Sequence, residues 1–289
     1  METPDLRWRN RSLSISNLDR ARLSAFTAFS DLIRQKRSRK VWVASHTTAL
    51  SLAKIELPIL YPQPKRFGHD CLHVCVQKPD TRLSHQGVQF HLWTHEFEPV
   101  IMGEGMLCVP PVTAWAQMSQ YLALSELIVL GDSMMRSDPR LKRADLADFH
   151  RYVENTRQYP GRSKCVKALT FVAANTDSSQ ETRTRLLLAS HGLQMPAVNI
   201  SVWDEHNKQN YRIDMGYPKL LIAIEYDGEQ HFSDARQREN DDIKRRNLKA
   251  AGWVVHVVHK EDLRKPDRRL WLVNQIASDI MKRTSELER

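Results

Sequence analysis

The sequence predicts an α/β protein with an N-terminal α+β region over residues 41–174 and a C-terminal mixed sheet flanked by helices over residues 178–289. Three observations carry this prediction. The chain has 289 residues, enough for two domains of ordinary size. Short apolar segments separated by Pro, Gly and charged turns fill residues 61–109, as expected of a small β-rich unit. From residue 178 onward, helical and strand patterns alternate, which is typical of an α/β domain.

Composition and charge exclude several classes of protein. The chain is 41% hydrophobic and 27% charged, the composition of a soluble globular protein rather than a fibrous or disordered one. Because no apolar run approaches the roughly 20 residues that span a bilayer, we expect no membrane partner. Four cysteines are too few for an extracellular disulfide framework, so we expect a cytoplasmic protein. A net charge of +9 is compatible with DNA as a partner.

The start of the chain predicts a basic helix and then a strand. Residues 1–40 end in RQKRSRK, and residues 18–33 place apolar side chains at helical spacing. VWV at 41–43 predicts a short strand. Ser45 is suited to cap a following helix that Pro58 ends.

The middle of the chain predicts strands and then helices. CLHVCV, VQFHLW and MLCV predict three strands before residue 110. The pattern over 111–174 is helical, with breaks at Pro139, Pro160 and Gly161. The polar cluster NTDSS then marks a domain boundary.

The C-terminal domain reads as helix, three strands, helix, strand and helix. The segments, in order, are SQETRTRLLLASHG, VNISVWD, YRIDMGY, LLIAIEYDG, ARQRENDDIKRRNLKAAG and WVVHVVH, followed by a final helix. A Pro-Lys turn joins the second strand to the third. In LLIAIEYDG, alternation places Ala223 and Glu225 on one face and Ile222 and Ile224 on the other.

Three acidic residues are the candidate metal ligands. Asp214 lies on one predicted strand, and Glu225 and Asp227 lie on the next. One acidic residue at a strand end is typical of a solvated turn, but three converging carboxylates repel one another unless a cation or proton compensates. If the two strands form a hairpin, the three side chains predict a site for Mg²⁺ or Mn²⁺. His231 follows and is suited to act on a proton near neutral pH.

Two helices are expected to border this site. Ser178 or Ser179 is suited to cap the first helix, with Glu181 in its first turn, where Glu181 either serves the cap or leans over the carboxylates. The second helix carries Lys244 and Arg245. Because neighbouring helix positions point about 100° apart, we expect only one of these two to reach the metal.

Two further expectations concern this helix and the basic segments. We expect Leu248 and Ala251 to face the sheet. Five basic residues are candidates for contact with nucleic acid, since Lys and Arg neutralise phosphates. These are Arg37, Arg39, Lys40, Lys244 and Arg245.

A rival metal site is suggested by the alternating residues His69, Cys71, His73 and Cys75. A straight strand would spread these four side chains over about 20 Å, whereas zinc needs ligands on all sides. We therefore favour a strand whose Leu72, Val74 and Val76 face the core and whose Cys/His face is incidental.

Four segments together resemble a family of domains of unknown function related to very-short-patch mismatch-repair endonucleases, within the PD-(D/E)XK nuclease-like superfamily. The segments are ETRTRLLL from Glu181, RID ending at Asp214, IAIEYDGEQH ending at His231, and DDIKRRNLKAAGWVV from Asp241. The resemblance implies a Mg²⁺-dependent DNA endonuclease with Asp214 and Glu225 as metal ligands. It also implies that His231 corresponds to a histidine of the repair enzymes. Asp227 stands where many superfamily members carry a lysine, which leaves Lys244 or Arg245 to replace it.

A second resemblance covers residues 41–174. ASHTTALSL and LSELIVLGDSMMR are similar to a region of actinobacterial proteins that resembles type IV abortive-infection antitoxins. This resemblance implies the alternative of a non-catalytic DNA-binding regulator with a degenerate nuclease domain. A third reading is an interaction module that binds a protein partner through residues 41–174.

Overall fold

The computed structural model describes residues 7–35, 41–60, 71–81, 84–103, 105–228 and 235–289. The chain divides into a first compact unit, Ser14–Ala174, and a second, Asn175–Arg289, which also takes in residues 7–13. Each unit is built on a mixed β-sheet flanked by helices, so the predicted mixed α/β class is confirmed. In the described part of the chain, no helix combines the length and apolar character needed to cross a membrane.

The first unit holds a sheet of five short strands. The strands are β1 (Val43–Ala44), β2 (Leu72–Val76), β3 (Val88–Leu92), β4 (Val100–Met102) and β5 (Met106–Cys108). Their order is β3-β2-β1-β5-β4, with β2/β3 and β1/β5 parallel and the other two pairs antiparallel. Strand β4 is missing from the sequence prediction because its three apolar residues, Val-Ile-Met, are too few to show strand alternation.

The first unit also contains helices. They are α1 (Arg7–Gln35) from Ser14 onward, α2 (His46–Leu52), α3 (Pro111–Met118), α4 (Leu124–Met134), α5 (Leu146–Asn155) and α6 (Arg162–Leu169). Helix α2 ends well before Pro58, contrary to the prediction, because Lys54 takes a left-handed φ of 57°. Trp115 and Leu127 are fully buried at the centre of the helical layer, and the Trp115 indole donates a hydrogen bond to the Leu127 carbonyl at 2.9 Å.

The second unit has the predicted element order as far as its last strand, after which the structure has two helices where the sequence predicts one. Its elements are α7 (Ser179–Ser190), β6 (Ala197–Asp204), β7 (Gln209–Tyr217), β8 (Ile222–Asp227), α8 (Ala235–Ala250), β9 (Val254–His259), α9 (Lys260–Arg264) and α10 (Pro266–Leu287). The strand order is β6-β7-β8-β9, with β8 and β9 parallel and the other pairs antiparallel. A parallel pair needs a crossover connection, and α8 supplies it.

The two faces of the second sheet are packed by different helices. Ile222 and Ile224 pack against side chains of α7 and α10. Ala223, on the opposite face, packs against Leu248 of α8. The predicted alternation along β8 is therefore confirmed, and so is the burial of Leu248. The prediction for Ala251 is wrong, because α8 ends at Ala250 and Ala251 is exposed.

Candidate functional site

The pairing of β7 with β8 brings two carboxylates to neighbouring positions. The antiparallel register runs from Tyr217–Ile222 to Met215–Ile224. The next residues along the two strands are Asp214 and Glu225, so they lie just beyond the last paired position. Asp214 Oδ2 accepts a hydrogen bond from the backbone N–H of Tyr226 at 2.9 Å. This bond ties the Asp214 side chain to β8 where the backbone ladder ends.

A break in strand alternation lies at Asp214. Ile213 packs on the α8 face of the sheet, whereas Met215 packs on the face covered by α7 and α10. Residues two apart share a face in a regular strand. Opposite this point on β6, Asn199 has a left-handed φ of 55°, and the ladder omits its pair. Irregular positions of this kind re-aim a side chain, and the side chain here is the Asp214 carboxylate.

Helix α8 brings two cations to the same carboxylates. Lys244 Nζ contacts Glu225 Oε1. Arg245 Nη2 donates to Asp227 Oδ2 at 2.9 Å, and Arg245 Nε lies 3.7 Å from Glu225 Oε2. Both neighbouring cations contact these carboxylates, and the expectation that only one of them reaches a bound metal stays a prediction. Both side chains are long enough to reach the carboxylates, and they reach different atoms.

Packing and a hydrogen bond hold α8 in this position. Leu248 is 1% exposed in the cluster with Ala223 and Trp253. One residue earlier, the Asn247 amide donates to the Tyr211 hydroxyl of β7 at 2.6 Å. The side chains of Glu225, Lys244 and Arg245 are 7%, 19% and 22% exposed. Because water screens these ion pairs only in part, removing one partner leaves a charge in a poorly solvated place.

Glu181 serves the start of helix α7 and also belongs to the acidic group. Ser178 Oγ accepts a hydrogen bond from the Glu181 N–H at 3.2 Å, and Glu181 Oε2 accepts one from the Asp177 N–H at 3.0 Å. The predicted capping role of Glu181 is therefore confirmed, with Ser178 as the cap. Burial, with the charges of Asp214 and Asp177, raises the pKa of Glu181 well above its ordinary value.

Asp214 is a second carboxyl at this site whose pKa lies above its ordinary value. Burial raises its pKa; nearby Lys244 opposes this rise, and the charge of Glu225 adds to it. A carboxylate with a raised pKa is stabilised by a proton or by a cation. Asp214 and Glu181 together therefore form a poorly solvated acidic pair that favours the uptake of positive charge.

The donors at this site match a divalent ion in chemistry, but they do not form a complete set of protein ligands. Mg²⁺ and Mn²⁺ prefer carboxylate oxygens, which Asp214 and Glu225 supply from adjacent strands. Across the described ranges, no three His, Cys, Asp or Glu side chains are grouped to hold a metal. Asp227, the third predicted ligand, is paired with Arg245. The site therefore offers a divalent ion two neighbouring carboxylate ligands, Asp214 and Glu225.

Several predicted site residues are not brought to this site by the described part of the structure. His231 and the basic residues Arg37, Arg39 and Lys40 lie outside the described residues. Asp177 is a member of the acidic group that the sequence analysis missed. It lies 3.9 Å from Arg212, which precedes Asp214 by two residues on β7. Asp177 is the acidic residue of the polar NTDSS cluster. Because that cluster was interpreted as a domain boundary, no role was predicted for the Asp177 carboxylate.

The rival zinc constellation has a different structure from the one expected. His69 lies outside the described residues. Val74 and Val76 are buried, as expected of the core-facing side of β2, and His73 and Cys75 are only 1% and 2% exposed. Both faces of this strand are therefore buried. The His73 ring meets His91 of the parallel neighbour β3, with Nδ1 and Nε2 2.8 Å apart.

Comparisons with known proteins give distant relatives alone. The chain is similar to uncharacterized proteins MT2308 and Rv2248 from two strains of Mycobacterium tuberculosis, CDC 1551 / Oshkosh and ATCC 25618 / H37Rv. Each is 22% identical over 166 residues, which cover 57% of this chain. The aligned region spans 59% of the length of these curated relatives. No family model matches the chain, and no solved structure matches it significantly.

Proposed function

We propose that the second unit is a metal-dependent phosphodiesterase that cleaves DNA, with Asp214 and Glu225 as the metal ligands. One observation supports this above the others: two carboxylates from adjacent strands lie beside two cations from α8. Phosphodiester hydrolysis needs this combination, because the phosphate is anionic and its attack builds further charge. When bound, Mg²⁺ or Mn²⁺ would polarise the phosphate and lower the pKa of a bound water.

The chain's own residues would divide the remaining work. Lys244 and Arg245 would stabilise negative charge on the phosphate, with Asp227 holding the Arg245 guanidinium at 2.9 Å. By the resemblance to very-short-patch repair endonucleases, Asp227 stands where many superfamily members carry a lysine, so Lys244 or Arg245 would have to supply the positive charge of that lysine. His231, by the same resemblance, would orient or deprotonate the attacking water.

Charge balance supports the binding of a cation at the acidic pair. The pKa values of Glu181 and Asp214 are raised, so each carboxylate is stabilised when it gains positive charge. A divalent ion supplies that charge without a proton. Lys244 already supplies part of it through its contact with Glu225, and we expect this ammonium group to turn toward the phosphate when the metal and DNA bind.

A nicking assay on supercoiled plasmid with Mn²⁺ tests this function. We expect nicking by the wild-type chain, its loss in Glu225→Gln, and a reduced rate in Lys244→Met. Lys249→Met is the matched control, because it removes an equal charge from an exposed position on the same helix. Protein that binds Mn²⁺ and DNA but leaves plasmid, linear, mismatched and single-stranded substrates intact contradicts the proposal.

A specific observation favours a second function, that of a non-catalytic DNA-binding regulator. The cations of α8 already neutralise Glu225 and Asp227, and a closed network of this kind also suits a purely structural role. Such a protein would bind DNA with an affinity that falls steeply as salt rises, since phosphate contacts release counterions. Salt-dependent binding without cleavage would identify this function. A flat salt profile would favour a protein partner for residues 41–174.

A further inference from the structure

Three histidines of the first unit are buried together, although they come from three different elements. His46 begins α2, His73 lies on β2 and His91 lies on β3, and their exposed fractions are 1%, 1% and 7%. The His46 ring stacks on His91 with centroids 3.7 Å apart and planes 26° apart. The His73 ring centroid lies 5.1 Å from that of His91 and 5.8 Å from that of His46.

The contact between two of these rings limits how many protons the cluster can hold. His73 Nδ1 and His91 Nε2 are 2.8 Å apart, a hydrogen-bond distance. One of these nitrogens must donate and the other accept, so the two atoms share one proton. If both rings were protonated, two N–H groups would face each other and two buried cations would lie side by side. The observed arrangement therefore requires at least one neutral ring.

Among the residues that the structure describes, the groups packed around the cluster are of uncharged types. Ser45 Oγ lies 3.0 Å from the ring nitrogen Nδ1 of His46, and the Tyr121 ring centroid lies 5.7 Å from that of His46. The backbone N–H of His73 donates to Thr48 Oγ1 at 2.8 Å, and the backbone N–H of His46 donates to Gln117 Oε1 at 3.4 Å. Gln117 also donates to the Cys75 thiol at 3.6 Å, and burial raises the pKa of this thiol to about 12. Burial lowers the pKa of His73 to about 4. These surroundings favour neutral imidazoles.

The backbone at His46 is strained in a way that depends on these contacts. Its φ is 48°, in the left-handed region that residues with a β-carbon rarely adopt. The Ser45 N–H donates to the His73 carbonyl at 2.9 Å, so the start of α2 is tied to β2 beside the rings. Strained positions persist only where the surroundings hold them. Loss of the ring contacts would therefore remove what holds the start of α2 in place.

We propose that His46, His73 and His91 form a proton-sensitive latch, in which the neutral rings hold helix α2 against the first sheet and protonation releases it. The pKa of His73 is lower in the folded chain than in the unfolded chain, where it is about 6.5. The stabilisation is therefore fully present above about pH 6.5 and is lost as the pH falls toward 4. The released region would be α2 with its neighbouring strands β2 and β3.

Hydrogen exchange of the full chain between pH 7 and pH 5 tests the latch. After correction for intrinsic exchange rates, we expect the protection of peptides from α2, β2 and β3 to fall about tenfold per pH unit below pH 6.5, as for the uptake of one proton. His73→Gln keeps a hydrogen-bonding side chain but removes the ring whose pKa is lowered, so its protection should vary less with pH. His150→Gln, at an exposed position on α5, is the control and should keep the wild-type dependence.

Two results would overturn the latch. One is wild-type protection of these peptides that does not change between pH 7 and pH 5. The other is an unchanged pH dependence in His73→Gln. If His73→Gln does not fold, the wild-type profile alone still decides, because the latch requires the acid loss to be confined to α2, β2 and β3. Loss spread evenly over all peptides of the first unit would also contradict it.

Discussion

The acidic site of the second unit and the histidine cluster of the first are both buried polar groups, but they respond to protons in opposite ways. Glu181 and Asp214 are carboxyls whose raised pKa values favour the uptake of positive charge. His73 is an imidazole whose lowered pKa disfavours it. Burial acts on both by penalising the charged form. The carboxylates have cations beside them and are suited to bind a further ion, whereas the imidazoles are suited to remain neutral.

The largest expected effect on stability comes from a substitution in the strand pair that carries the acidic site. A β-carbon added at Gly216 would lie 2.1 Å from the Ile222 carbonyl oxygen, on the strand pair that places Asp214 beside Glu225. Gly216→Ala should therefore lower the free energy of unfolding of the second unit by about 3 kcal/mol, because strands cannot separate without losing their register. Urea denaturation followed by fluorescence checks this.

Gly192→Ala is the control for this substitution. No atom lies within 4 Å of a β-carbon added there, although φ is +83°. The expected cost is therefore about 1 kcal/mol, from backbone strain alone. Equal effects at the two glycines would show that the close approach of β7 and β8 does not matter.

The second-largest expected effect concerns how the stability of the second unit depends on pH. Because the folded pKa of Glu181 lies above its unfolded value, its stabilising contribution is present at acid pH and is lost as the pH rises through neutrality. Glu181→Gln keeps a hydrogen-bond acceptor for the Asp177 N–H but cannot ionise. We expect the alkaline loss, on the order of 1 kcal/mol, to be smaller in this variant. Hydrogen exchange of second-unit peptides at several pH values measures it.

Glu205→Gln is the matched control for the pH experiment, since Glu205 is exposed on the turn between β6 and β7. It should leave the pH dependence unchanged. If the second unit gains stability as the pH rises from 5 to 8, the assigned direction of the carboxyl pKa values is wrong. The contrast between the two units would then disappear.

Sequence patterns predicted the second unit well because its signals are local. Strand alternation predicted that Glu225 shares a face with Ala223, and this agrees with the structure, where both contact side chains of α8. The predicted helix ARQRENDDIKRRNLKAAG is found as α8, which ends two residues earlier than predicted, at Ala250. What local patterns missed was irregular backbone. Leu221 has a φ of 51° after a 3₁₀ turn over Pro218–Leu220, so β8 begins later than predicted.

The histidine cluster shows what local patterns cannot predict. His46, His73 and His91 belong to separate elements, and only the parallel pairing of β2 with β3 and the packing of α2 bring them together. Alternation predicted that one face of β2 is buried, but the opposite face is buried as well. A buried histidine and an exposed one look alike in a sequence. Long-range packing decides between them.

The sequence pattern also did not predict which carboxylates Lys244 and Arg245 of α8 contact. Helical geometry correctly predicts different directions for Lys244 and Arg245. It does not include the length of the two side chains, which lets one contact Glu225 while the other bridges Glu225 and Asp227. The sequence therefore predicted the members of the acidic site more reliably than their pairing.

The central claim is that the acidic site takes up a divalent cation, and thermal unfolding with and without Mn²⁺ at pH 8 tests it most directly. A ligand that binds the folded state raises stability by mass action, by about 2.7 kcal/mol at a concentration of 100 times Kd. We predict that millimolar Mn²⁺ raises the unfolding midpoint of the wild-type chain and does not raise that of Asp214→Asn. An unchanged wild-type midpoint, or an equal rise in Asp214→Asn, would contradict the claim.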